Sequence, residues 1–167
     1  GLRAGHRQQC DQIAGLGATR LHFREQNRRH SSLVSGLRTG NARDEVHPIM
    51  KGLPKKWRHA TDELYDRMRG PGNIQDILFT AYSDKSTNGS GREEPLMFTV
   101  NYEKARIFHT MLGHAGESLE NNPAMQCTGF QITFLRGAEW AATGKVTIKV
   151  PEDFPTETRV TSRLDYK

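Results

Sequence analysis

The sequence predicts an α+β domain, and three observations carry that expectation. Its clearest helical spacing lies early, over residues 53–68. Its alternating apolar runs gather late, at 130–134 and 146–150, and no internal repeat or heptad links the two. Early helices are therefore expected to pack on a mostly antiparallel sheet.

Taken in order, residues 1–19 carry Gly1, Gly5, Gly15 and Gly17 among polar residues, and read as a flexible N-terminal arm with at most a short helix around Gln8–Leu16. Residues 20–167 then form one domain, a size that 167 residues suit. Arg20–Arg24 is the first strand, with Leu21 and Phe23 alternating with polar neighbours. Glu25–Asp44 is polar enough to be a long loop or a weak helix. Pro54 can open a helix without losing a hydrogen bond, and Leu53, Trp57, Leu64 and Met68 follow at helical spacing until Gly70-Pro71-Gly72 stops it. Ile77–Tyr82 is a strand, Ser83–Gly91 a Ser/Gly/Asn-rich loop, and Leu96–Val100 a second strand. Asn101 is placed to cap a helix bearing Ile107, Phe108, Met111 and Leu112 up to Gly113. Phe130–Phe134, Val146–Val150 and Thr158–Ser162 complete the sheet.

Composition narrows the function classes. Hydrophobic residues make up 35% and mean hydropathy is −0.72, so the core is modest, while 8% aromatic residues argue against wholesale disorder. No run approaches the ~20 apolar residues of a membrane-spanning helix, so a soluble protein is expected. The chain opens at Gly1 with neither a Met nor the basic and apolar stretches of a signal peptide, which suggests a processing point with any targeting segment upstream. Cys10 and Cys127 are too few for a disulfide scaffold, and no Cys-x-x-Cys or His-x-x-x-His pair sets zinc geometry. Gly15-Leu16-Gly17 and Gly89-Ser90-Gly91 lack the strand-to-helix setting of a phosphate loop, which excludes Rossmann-type and Walker-type nucleotide sites.

The net charge of +5 is lopsided: residues 1–70 hold 14 Lys and Arg against 7 Asp and Glu, and five of the seven histidines. A basic face of this kind suits nucleic acid, an acidic protein or a phosphate-bearing ligand, or serves only solubility. His59, beside Trp57, Lys55, Lys56 and Arg58, is either a phosphate contact with ribonuclease-like acid–base capacity or a solvated position on a basic helix. His109 and His114 read as cations near a helix C-terminus. Arg24, at a strand end, and the hydroxyls of Thr80 and Ser83 could share one anionic ligand, since a guanidinium grips phosphate bidentately and hydroxyls donate to it.

The order of Leu21-His22-Phe23-Arg24, a long basic insertion, the run from Glu63 to Gly70, and Phe79-Thr80-Ala81-Tyr82-Ser83 resembles the mono-ADP-ribosyltransferase family over roughly residues 20–162. The likeness is greatest to bacterial toxins and to plant-pathogen type III effectors of the Xanthomonas outer protein type. It implies NAD as cofactor, with Arg24 on its phosphates and Thr80 or Ser83 orienting a ribose. It further implies a host protein as partner, and secretion followed by action inside a host cell. Ala81 stands where the family's strand has its first serine, and Thr143-Gly144-Lys145 where it has Glu-x-Glu, so the catalytic acid would be Glu139. A lysine has the wrong sign for an oxocarbenium-like transition state. The implied protein is thus either a divergent transferase using Glu139 or a catalytically silent scaffold that acts by binding. The competing reading is a nucleic-acid-binding or ribonuclease toxin domain built on Lys55–His59 and the basic 1–70 region.

Overall fold

The computed structural model describes residues 38–68, 72–115 and 121–164. Five strands, β1 (Arg38–Ala42), β2 (Lys56–His59), β3 (Ile74–Tyr82), β4 (Glu93–Tyr102) and β5 (Ala105–Thr110), precede a short helix α1 (Pro123–Gln126) and a long helix α2 (Thr128–Thr143). All pairings are antiparallel, in the spatial order β2-β1-β3-β4-β5.

The sheet curls around α2. Trp57 of one edge strand lies against Gly129 near the start of that helix, and Phe108 of the other edge strand lies against Gly137 two turns later. A flat sheet of five strands would be roughly 19 Å across, about twice the width of a helix, so one helix can touch both edges only if the strands wrap it. Bare backbone at the two glycines lets the aromatic rings approach. Behind them Trp57 stacks on Phe79 with ring centroids 4.4 Å apart, and Phe154 meets Trp57 edge-on at 5.4 Å. Leu78, Met97, Ile49 and Met50 fill the rest of the core.

The expected α+β layout, with early helices in a mono-ADP-ribosyltransferase-like arrangement, is therefore corrected: among the described residues the strands come first and the long helix last. Each misreading has a local cause. In 53–68, Trp57 and His59 are buried while Lys56 and Arg58 are more exposed, a period-two pattern hidden inside an apparent helical one. The helix expected after Asn101 is instead the β4–β5 hairpin, turned at Glu103, whose φ is +52°.

Phe130–Phe134 is helix rather than strand. The buried face runs through Thr128, Gly129, Ile132, Thr133, Arg136, Gly137 and Trp140, and too few of these are apolar to advertise a helix. Val146–Val150 alternates inward and outward as an extended segment should, yet it pairs with no strand among the described residues. Side chains of α2 satisfy its backbone instead. Glu139 accepts from the N–H groups of Thr147 and Ile148, and Arg136 Nη1 donates to the Ile148 carbonyl at 2.6 Å. Thr158–Ser162 contributes a single bridge, Ser162 to Cys127. The expected Arg20–Arg24 strand, the Gln8–Leu16 helix and the N-terminal arm lie outside the described residues.

Candidate functional site

The loop after β2 and the segment after β5 meet at one corner. β2 ends at His59, and Asp62, Glu63 and Tyr65 follow within six residues. β5 ends at Thr110 and continues as Met111-Leu112-Gly113-His114.

Asp62 ties the two together. Its Oδ2 accepts from the Gly113 N–H at 2.7 Å and lies 2.7 Å from His59 Nε2, while its Oδ1 accepts from the N–H groups of Glu63 at 2.8 Å and His114 at 3.2 Å. Burial alone would push this carboxyl up, but His59 and the Gly113 and His114 amides hold it below the usual carboxylate range. Burial would likewise strip the proton from His59, yet hydrogen bonding to Asp62 and Cys127 raises it to about 9. Cys127 is wholly buried, which by itself would push its thiol up, and the adjoining His59 pulls it down instead.

Above this buried foundation is a hollow of about 310 Å³ lined by Tyr65, His109, Thr110, Met111, Leu112, Gly113 and His114. On its rim Tyr65 Oη lies 3.2 Å from His114 Nδ1, and Glu63 Oε2 lies 3.4 Å from the same nitrogen. Burial and the neighbouring Glu63 raise the Tyr65 phenol above its ordinary value, so it stays protonated at neutral pH. His109 stacks on Phe98 at 4.6 Å, and burial lowers its basicity. The rim thus presents a phenol, an imidazole and a carboxylate in contact, the kit for moving a proton at a bound hydroxyl. Among the described residues no group of three His, Cys, Asp or Glu side chains is arranged to hold a metal.

Of the residues singled out from sequence, His109 and His114 line this hollow, whereas Thr80, Ser83 and Glu139 do not. Arg24 falls outside the described residues. Thr80 is buried and donates to Glu93 Oε2 at 2.6 Å. Ser83 is buried, donates to Asp66 Oδ2 at 2.8 Å and accepts from the Ser90 N–H. Glu139 sits on the last turns of α2, with its carboxylate clasping Thr147 and Ile148. Thr80, Ser83 and Glu139 share no hydrogen-bond partner among the described residues. His59 is 3% exposed rather than on a solvated helix face, and His109 and His114 belong to a strand end and the loop beyond it.

Sequence reading missed Asp62, Glu63 and Tyr65 as site residues. The usable signal was the spacing His59-x-x-Asp62-Glu63-x-Tyr65, which supplies the second titrating partner that a lone histidine lacks.

Residues 2–141 match the family described as ThuA, trehalose utilisation. The chain is also similar to the crystal structure of a ThuA-like protein from Parabacteroides merdae ATCC 43184, with 75% sequence identity and a TM-score of 0.77. That likeness covers 79% of this chain and 47% of the relative, so the chain spans about half the length of the solved protein. A comparison with curated proteins found no match. These findings replace the mono-ADP-ribosyltransferase resemblance and overturn the readings as secreted effector, virulence toxin, nucleic-acid-binding domain or ribonuclease. NAD, a host partner and secretion were implications of that resemblance and are carried no further. With 140 of its residues matched by one family and a homologous fold beside it, the chain belongs to the ThuA family.

Proposed function

We infer that this chain binds a carbohydrate, of the class to which trehalose belongs, in the hollow between Tyr65 and the Thr110–His114 segment. The observation that carries the reading is the meeting of Tyr65, Glu63 and His114 on the hollow's rim. The family's link to trehalose utilisation supports a sugar as the occupant. A volume of about 310 Å³ lies at the small end of ligand pockets and suits a mono- or disaccharide. The lining suits it as well, with Met111 and Leu112 for the apolar faces of a sugar ring and Tyr65, Thr110 and the imidazoles for its hydroxyls.

With Nδ1 of His114 engaged by Tyr65 and Glu63, Nε2 is the nitrogen left to hydrogen-bond a sugar hydroxyl, and the two contacts hold the ring in the orientation that presents it. Calorimetric titration of the full chain with trehalose and with glucose tests this reading. Saturable binding is expected, weakened about five-fold in Tyr65→Phe through loss of roughly 1 kcal/mol of hydrogen bonding, and lost in His114→Ala. No heat for either sugar at millimolar concentration would refute it.

A further inference from the structure

The buried imidazole beneath the rim has no place in the acid–base scheme above. His59 and Asp62 side chains are 4% and 2% exposed, so neither reaches the hollow. An apolar pair in their place would hold β2 to the core as well or better, because desolvating two charges is costly. Such a pair could not, however, offer acceptors to the Gly113 and His114 amides.

Those amides sit at a constrained corner. Gly113 has φ +86°, and a Cβ there would enter the Phe130 ring, so the backbone conformation is available to glycine alone. The Asp62 carboxylate fixes the direction of both N–H groups, and His59 fixes the carboxylate. The His59 ring is itself confined, with Trp57 edge-on at 6.2 Å and Cys127 of the α2 N-terminus interacting with it. The titratable groups around it are Asp62 on the adjoining loop and Cys127 from the helix, with Glu63, Tyr65 and His114 beyond Asp62.

We propose that His59, bonded through Nε2 to Asp62, is a positioning residue for the rim: it orients the Asp62 carboxylate, which sets the Gly113–His114 backbone and so the direction of the His114 imidazole. The geometric part stands on the hydrogen bonds alone, and its consequence for ligand binding rests on the carbohydrate reading above.

The test uses the full-length chain, first without ligand. Amide hydrogen exchange at Gly113 and His114 is compared in wild type, His59→Leu, which removes the donor, and His59→Gln, which keeps a neutral one. About ten-fold faster exchange at those two amides is expected in His59→Leu, with core amides such as Phe98 unchanged and most of the protection restored in His59→Gln. Unchanged exchange at Gly113 and His114 in a folded His59→Leu overturns the proposal.

Should His59→Leu not fold, His59→Phe, which keeps a ring but has no donor, takes its place. Exchange at the two amides about ten-fold faster than in His59→Gln is expected, and equal rates in the two variants overturn the proposal. Trehalose titration of wild type, His59→Leu and His59→Gln forms the second arm. Binding weakened in His59→Leu together with faster exchange, and largely kept in His59→Gln, supports the functional consequence. Wild-type protein that binds no sugar, but whose amides respond as expected, refutes the carbohydrate reading and supports the positioning role.

Discussion

Raising the pH from 6.5 to 9 should destabilise this protein through one residue. In the unfolded chain His59 titrates near 6.5, whereas in the folded protein it titrates near 9. A folded-state pKa above the unfolded one contributes stability that is fully present below pH 6.5, declines as pH rises, and is gone above about 9. At 1.36 kcal/mol per pKa unit the full difference corresponds to about 3 kcal/mol. Cys127 works the other way: its lowered pKa adds stability as pH climbs towards the ordinary thiol value, so the net loss is smaller than the His59 contribution alone.

Below pH 6.5 the slope reverses, because burial lowers the pKa of His47 and His109 and the unfolded chain there binds more protons than the native one. Stability therefore peaks near pH 6.5. Urea denaturation at half-unit pH steps reads this directly, with a midpoint drop of about 1 M expected between pH 6.5 and 9. His59→Gln should abolish the drop. A midpoint that is flat or rising over that range in wild type, or an equal drop in His59→Gln, would refute the reasoning.

Other substitutions probe other parts of the account. Gly137→Ala gains up to about 1 kcal/mol of helix propensity but drives a methyl into the Phe108 ring; overpacking of this kind costs roughly 1–3 kcal/mol, so net destabilisation is expected in a thermal melt. Arg136 donates to four backbone carbonyls, those of Pro48, Ile49, Lys51 and Ile148, so Arg136→Met should lose on the order of 3 kcal/mol in chemical denaturation and loosen both loops it joins. Glu139→Ala should speed amide exchange at Thr147 and Ile148 while leaving β3 amides unchanged, because its carboxylate is their acceptor.

The parts of the fold that could be read from sequence were those where burial and polarity coincide. Ile77–Tyr82 and Leu96–Val100 carry enough apolar residues to declare themselves, and both lie within observed strands, joined across the turn-rich 83–91 segment. α2 could not be read because its inward face is built from Gly129, Thr133, Arg136 and Gly137, residues chosen for close approach and hydrogen bonding rather than hydrophobicity, while Phe134 and Leu135 are half exposed. Phe130, Ile132 and Phe134 alternate in sequence, but only Ile132 is deeply buried.

The site was hidden for a related reason. His59 stood out as a titratable group near an aromatic, but its partner Asp62 becomes significant only once the 110–114 segment folds across to place two amides on it. Thr80 and Ser83 stood out as hydroxyls where a strand runs into a polar loop, and nearby carboxylates of Glu93 and Asp66 occupy them.

The central claim is that the ligand enters at the Tyr65–His114 rim, and a crystal of the full chain soaked in trehalose addresses it most directly. The account predicts a sugar ring against Met111 and Leu112 with a hydroxyl within hydrogen-bonding distance of His114 Nε2. Sugar found instead among Arg67, Ser90 and Arg92, or along Lys51 and Lys145, with the rim empty, would contradict it.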